Sequence, residues 1–233
     1  MIFRVAIEND NEGYRSIAWA LEHPGCYAYG GNAEEALENL PKAIGEYAHW
    51  IGQHETPWVE AEEPELIVEE TFNDYDITPE FDIVEQGDYT VEPFFQYEWK
   101  PIDAEEMEAA RKLLDWSRQD LLTLLGRLTP GQWSFKGEGE RWDVSGIVKH
   151  VGGAEWWYMD RLGLAFPREE VPSDPLERLE KTRKQMLEVL PRLVDIKQVD
   201  GLEGELWSPR KVLRRTSWHE RDHTEHIRKV LGL

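Results

Sequence analysis

Two hydrophobic periods divide the chain. Up to about residue 100, apolar positions alternate in short runs with the period of a strand; from Asp103 onward they recur every three to four residues, the period of a helix. Phe3-Arg4-Val5-Ala6-Ile7 alternates as a strand, with Tyr14 to Ala20 as its candidate partner across the turn cluster Asn9-Asp10-Asn11-Glu12-Gly13. After Pro24-Gly25-Cys26-Tyr27-Ala28-Tyr29-Gly30-Gly31, Asn32 is placed to cap a helix whose apolar stripe is Ala33, Ala36, Leu37, Leu40, Ile44 and Tyr47. Pro41 falls inside that stripe and predicts a kink. Short β-rich pieces return at Leu66-Ile67-Val68, Phe81-Asp82-Ile83-Val84 and Tyr89-Thr90-Val91, between acidic and Gly/Pro punctuation that leaves their order open.

The helical half reads as four amphipathic segments. Asp103 to Leu128 carries Met107, Ala110, Leu114, Leu121, Leu125 and Leu128 on one stripe, and Pro130-Gly131 is its expected stop. Asp143 to Gly163 follows, with Ile147, Val151, Ala154, Trp157, Tyr158 and Leu162 inward, and then Asp174 to Val194, opening at Pro175. The last begins with Ser208 as cap and Pro209 in the first helical position. Four such segments most simply form a four-helix bundle. The expected organisation is therefore α+β in two domains, residues 1–100 and residues 101–233.

Charge sharpens that division. The 233 residues carry a formal net charge of −21. Residues 1–100 hold 4 Lys+Arg against 23 Asp+Glu, whereas residues 101–233 hold 22 against 24. A field of that sign repels polyanions, so a general nucleic-acid backbone binder is excluded and a basic protein partner for the acidic half is favoured. No apolar run approaches the roughly 20 residues of a membrane span. The start Met1-Ile2-Phe3-Arg4-Val5-Ala6-Ile7 lacks a signal-peptide layout, and one cysteine, Cys26, forms no intrachain disulfide. Both point to a cytoplasmic protein.

The candidate chemistry lies in the histidines. On the last segment Val212, Thr216, His219, His223, Ile227 and Val230 form a core stripe with two imidazoles at its centre. Residues four apart on a helix are neighbours, so His219 and His223 can aim at one point. His150 sits beside Ile147, Val151 and Ala154 on the inward side of the second segment. If those helices pack together, three neutral nitrogens converge into a site for zinc or another borderline divalent metal with at least one coordination position left open. The competing reading makes each an ordinary packed or surface histidine, although burying two imidazoles without a ligand is costly. His23, His49 and His54 share no ligand spacing with these and read as structural or surface residues.

Both halves resemble known families. Pro24-Gly25-Cys26, Gly30-Gly31-Asn32, Glu34-Glu35-Ala36-Leu37 and Ala43-Ile44 resemble the HicB-like domain family over about residues 1–55, possible as far as residue 100. That resemblance implies a small α/β fold, found in antitoxins that sequester a partner ribonuclease, but no DNA-binding module follows here. Residues 103–233 look like the DinB/YfiT-like family, on Trp142-Asp143-Val144-Ser145-Gly146-Ile147-Val148-Lys149-His150-Val151 and Trp218-His219-Glu220-Arg221-Asp222-His223-Thr224-Glu225-His226-Ile227. It implies an up-down-down-up bundle, frequently a homodimer, with a divalent metal (Zn, Ni or Fe) held by His150, His219 and His223. Many members have Gln where this chain has His226, leaving it as a hydrogen-bond partner to a ligand or a surface residue.

The resemblance further implies a transferase that joins a low-molecular-weight thiol to an electrophilic small-molecule substrate. A metal with an open position activates either a thiolate or water, so a metal-dependent hydrolase is the alternative. A non-catalytic scaffold whose acidic domain captures a basic partner is the reading from another class. Trp156, Trp157, Trp207 and Trp218 are near the ligands in sequence; Trp157 and Trp218 are the candidate pocket walls, against a core role for such residues. Arg214 and Arg215, one turn ahead of His219, could hold a carboxylate or balance charge. Glu220, Asp222 and Glu225 could orient an imidazole or face water.

Overall fold

The computed structural model describes residues 1–11 and 14–233, and the chain divides into two units: Met1–Lys100 with Gly201–Trp207, and Pro101–Asp200 with Ser208–Leu233. The first unit is built on β1 (Ile2–Asn11), β2 (Arg15–Ala20) and β3 (Tyr27–Gly30), an antiparallel meander. Helix α1 (Ala33–Gly52) then returns the chain to β4 (Glu65–Asn73), which pairs parallel with β1 and completes a sheet ordered β3-β2-β1-β4. Returning in the same direction past two strands requires a crossover, and α1 supplies it while covering the sheet with Ala36, Leu40, Ile44, Tyr47 and Ile51. Asn32 caps that helix by accepting from Glu35 N at 3.0 Å, and the helix runs through Pro41 as one element of 20 residues.

Two expectations change here. β1 continues through Asn9, Asp10 and Asn11 rather than turning there, because the sheet supplies partners that the local sequence does not announce. Asn9 Nδ2 donates to Asn73 Oδ1 at 2.9 Å, and Ser16 Oγ donates to Asn9 Oδ1 at 2.8 Å. The Glu12-Gly13 part of the expected turn lies outside the described residues. The short strands β5 (Tyr75–Ile77), β6 (Ile83–Val84) and β7 (Tyr89–Val91) form a second sheet ordered β6-β5-β7. The hairpin of β8 (Asp200–Leu202) and β9 (Glu205–Trp207) gives residues 201–207 to the first unit, so the second unit is not a continuous stretch from residue 101.

The second unit holds α2 (Ala104–Leu125), the short α3 (Pro130–Trp133), α4 (Val144–Asp160), α5 (Pro175–Val189) and α6 (Pro209–Leu231). α2, α4, α5 and α6 make the four-helix bundle, α4 packing on α5 and α6, and α6 on α2. Each start has a physical cause: Asp103, Asp143, Asp174 and Ser208 accept backbone N–H bonds from the first turns. The stop of α2 comes at Gly126 rather than at Pro130, which instead opens α3 behind a Thr129 cap. Leu121, Leu125, Val144, Ile147, Val148, Val151, Leu179 and Ile227 pack together at one end of the bundle. Burying each such side chain contributes about 1.5–3 kcal/mol. Among the described residues no helix is long and apolar enough to cross a membrane.

Candidate metal centre

Three of the seven histidines meet inside the bundle. Their four-residue spacing on α6 puts His219 and His223 on one face, and α4 brings His150 against them. His219 Nε2 lies 3.0 Å from His150 Nε2 and 3.1 Å from His223 Nε2, and the three ligand atoms all fall within 4.8 Å of one another. The rings meet edge to face, at 4.4 Å between the His219 and His223 centroids, 4.8 Å between His150 and His219, and 5.1 Å between His150 and His223.

These residues fit a divalent cation. Nitrogens each about 2.1 Å from a common point, at angles of roughly 90–110°, lie about 3.0–3.4 Å apart. His219 Nε2 faces both of its neighbours at such distances, and one imidazole nitrogen cannot be donor and acceptor at once. Burial first, and then the neighbouring His223, His150 and Arg215, hold the His219 pKa well below its ordinary value. The ring is therefore neutral, the state a metal ligand requires.

Aromatic groups fix the rings in place. Trp142 stacks on His150 with centroids 4.7 Å apart at 30°, and Arg141 lies over the Trp142 ring at 4.6 Å. Tyr158 meets His219 edge-on at 6.0 Å and Trp218 does so at 5.7 Å. Arg215 sits over Trp218 at 4.4 Å and over Tyr158 at 5.9 Å. Val151, Tyr158, Thr216 and His219 line a narrow recess there, where the buried Thr216 Oγ1 has no hydrogen-bond partner among the described residues.

The expected residues fall into distinct places. Trp218 touches His219, whereas Trp157 packs on Tyr158 at 5.6 Å and under Arg161 at 4.5 Å, so the α4 ring that meets His219 is Tyr158. His226 is half-buried, with Nδ1 3.4 Å from His223 Nδ1. Trp156 donates to Phe166 O at 2.9 Å, and Trp207 belongs to the first unit. His23 packs between Phe3 and Tyr47, His49 bonds Gln53, and His54 stands edge-on to Trp50.

Beside the histidines lies a charged square that sequence reasoning missed, made of one residue from each long helix. Arg118 on α2 bridges Glu155 on α4 and Glu220 on α6, both at 2.6 Å. Arg183 on α5 bridges the same two carboxylates, at 2.6 Å and 3.0 Å. Ser117 donates to Glu220, and the two arginines also donate to the carbonyls of Leu179 and Leu114. Burial works against the charge on Arg183, but Glu155 and Glu220 outweigh it and push its pKa up. Burial works likewise against the Glu220 carboxylate, and Arg118 and Arg183 overcome it, holding its pKa down. The only signal in sequence was a charge near the inward stripe of each helix, the same signal a solvated residue at the stripe's edge produces. Glu225 by contrast pairs with Arg228 at the surface.

In this four-helix bundle His150, His219 and His223 form a group that could hold a metal ion. Residues 113–227, which contain all three histidines, match the family model described as the DinB superfamily. A solved structure described as TT2238, a four-helix bundle protein, is 24% identical, with coverage of 53% of this chain and 98% of its own and a TM-score of 0.44. No curated protein matches the chain significantly.

Proposed function

We propose that the protein is a divalent-metal-dependent enzyme of the DinB-like type, and that its reaction joins a low-molecular-weight thiol to an electrophile. The observation that carries this reading is the approach of three imidazole Nε2 atoms on two helices, at 3.0 and 3.1 Å for the pairs that His219 makes. His150, His219 and His223 would hold the ion, and an all-imidazole set suits Zn, Ni or Fe. When bound, such a cation supplies a Lewis acid that favours the thiolate over the thiol.

The chain's own residues supply the rest. Burial keeps His219 neutral, and the stacked Trp142 keeps the His150 ring from turning. Arg215, one helical turn before His219, offers a guanidinium to the carboxylate of an anionic thiol, with Trp218 and Tyr158 as apolar walls. Thr216 Oγ1 is a further hydrogen-bonding group, in the recess it lines with Tyr158 and His219. The one cysteine, Cys26, is buried at 2% exposure in the first unit, so the reacting thiol comes from a cosubstrate.

For the first unit we retain the HicB-like reading, supported by a sheet covered by one helix and by its acidic surface, with a basic protein as its partner. A homodimer formed through the bundle belongs to the same reading.

Elemental analysis of the purified protein beside the His219→Ala/His223→Ala variant tests the metal. About one divalent ion per chain, lost in the variant, is the expected result. Turnover of an activated electrophile should then require both the metal and an added thiol such as glutathione, bacillithiol or mycothiol. Metal-dependent turnover without thiol would replace the transferase by a hydrolase. No metal after reconstitution with zinc, nickel or iron would leave a non-catalytic scaffold.

A further inference from the structure

A chain of hydrogen bonds leaves the three-histidine cluster on its outer side. His223 turns Nε2 toward His219 and Nδ1 toward His226, whose own Nδ1 is 3.4 Å away. The other nitrogen of that ring, His226 Nε2, lies 2.9 Å from Oε2 of Glu140. Glu140 stands in the turn before α4, where its N–H donates to Gly137 O at 3.2 Å and Gly139 takes a φ of +79°. Two residues further on is Trp142, stacked on His150. One turn therefore holds His150 by its face and reaches His223 through His226.

The donor and acceptor rules allow one neutral arrangement of the contacts that join Glu140, His226 and His223. A carboxylate only accepts, so His226 Nε2 carries the hydrogen and His226 Nδ1 carries a lone pair. His223 Nδ1 must then be the donor, which places the His223 lone pair on Nε2, the atom that faces the cluster. The opposite tautomer of His223 would set two lone pairs against each other at Nδ1 and point a hydrogen into the site.

We propose that Glu140 and His226 are positioning residues that hold His223 in the tautomer with its hydrogen on Nδ1 and its lone pair on Nε2, and strengthen its donation to a bound divalent cation. The inference rests on the three-histidine reading above and extends it by two residues. Ligand imidazoles ordinarily pass their second N–H to a carboxylate or a carbonyl; here a second imidazole stands between ligand and carboxylate.

Cobalt(II) is the probe, because it reports both affinity and ligand field. Its dissociation constant is measured by competition with a chromophoric chelator, and its visible spectrum recorded, for wild type, Glu140→Gln, His226→Ala, His226→Gln and a Glu225→Gln control. Thermal unfolding of each metal-free protein separates folding from binding. His226→Ala is expected to weaken cobalt binding roughly 10–100-fold and to shift the spectrum. Glu140→Gln should move both in the same direction by less. His226→Gln, whose side-chain oxygen can accept from His223 Nδ1–H, should recover most of the affinity, and Glu225→Gln should change nothing. Wild-type affinity and spectrum in folded His226→Ala and Glu140→Gln would overturn the relay and leave the three-histidine site standing. Failure of the wild type itself to bind cobalt would overturn both.

Discussion

Arg118 on α2 and Glu220 on α6 form a 2.6 Å ion pair between side chains only 8% and 2% exposed, and Glu220 is the residue next to His219. That adjacency ties the rotation of α6, and hence the direction of the His219 ring, to the other three long helices. Glu155 and Arg183 close the same square from α4 and α5.

Removing one corner leaves an uncompensated charge in the core. Glu220→Ala is therefore expected to destabilise the second unit by about 3–5 kcal/mol. Replacing all four corners together, as Arg118→Met, Arg183→Met, Glu155→Leu and Glu220→Leu, should be neutral or stabilising by about 1–4 kcal/mol, because desolvation of the ions is avoided. Urea unfolding of the two variants decides; a fourfold replacement less stable than Glu220→Ala would contradict this account.

Trp142 holds His150 by its face. Losing such an aromatic contact costs about 0.5–1.5 kcal/mol, so Trp142→Ala should weaken binding of zinc by up to about tenfold while the helical content is kept. Isothermal titration calorimetry with zinc, beside circular dichroism, checks both halves of that statement.

In the first unit, burial alone lowers the His23 pKa to about 4. The unfolded chain binds its proton near pH 6.5, so between about pH 6.5 and pH 4 the unfolded state takes up a proton that the folded state does not. Stability from this group is complete above pH 6.5 and falls as pH drops through that window, by about 3 kcal/mol in all. Denaturant midpoints of wild type and His23→Phe, measured from pH 7.5 to 4, should converge or cross in acid; parallel curves would remove His23 as the cause.

Gly30 and Gly45 should respond to alanine in opposite directions. A Cβ at Gly30 would stand 2.2 Å from the backbone N of Ala36, where α1 meets the end of β3. Gly30→Ala is therefore expected to cost 3 kcal/mol or more, at or above the usual range of about 1–3 kcal/mol for overpacking. Gly45 lies within α1, and a Cβ there meets nothing within 4 Å, so Gly45→Ala should stabilise by about 0.5–1 kcal/mol. Thermal melts of the two variants give the signs directly.

Much of the architecture was readable because its causes are local. Asn32 and Ser208 announce helix starts through side chains that reach their own first turns, and both do so in the structure; Asp103 and Asp143, read only as segment starts, cap their helices in the same way. The neighbouring placement of His219 and His223 is equally local, since 3.6 residues per turn stacks positions four apart. Elements whose partners are distant in sequence were not readable. Asn9 to Asn11 look like a turn and are strand, because β4 and β2 provide bonds from more than 60 residues away and from across the hairpin.

By itself the sequence determined the two hydrophobic periods, the four long helices, the Ser208 cap of the last, the concentration of acid before residue 101 and the paired imidazoles of α6. Tertiary structure alone decided that β3, β2, β1 and β4 stand in that order, that Tyr158 rather than Trp157 meets His219, and that Glu140 reaches His226. It also decided that four charges from four helices close a square in the core. Periodicity names a face of a helix but not the helix it will meet. A contact between two such faces depends on rotation and register set by the whole core, which no local pattern encodes.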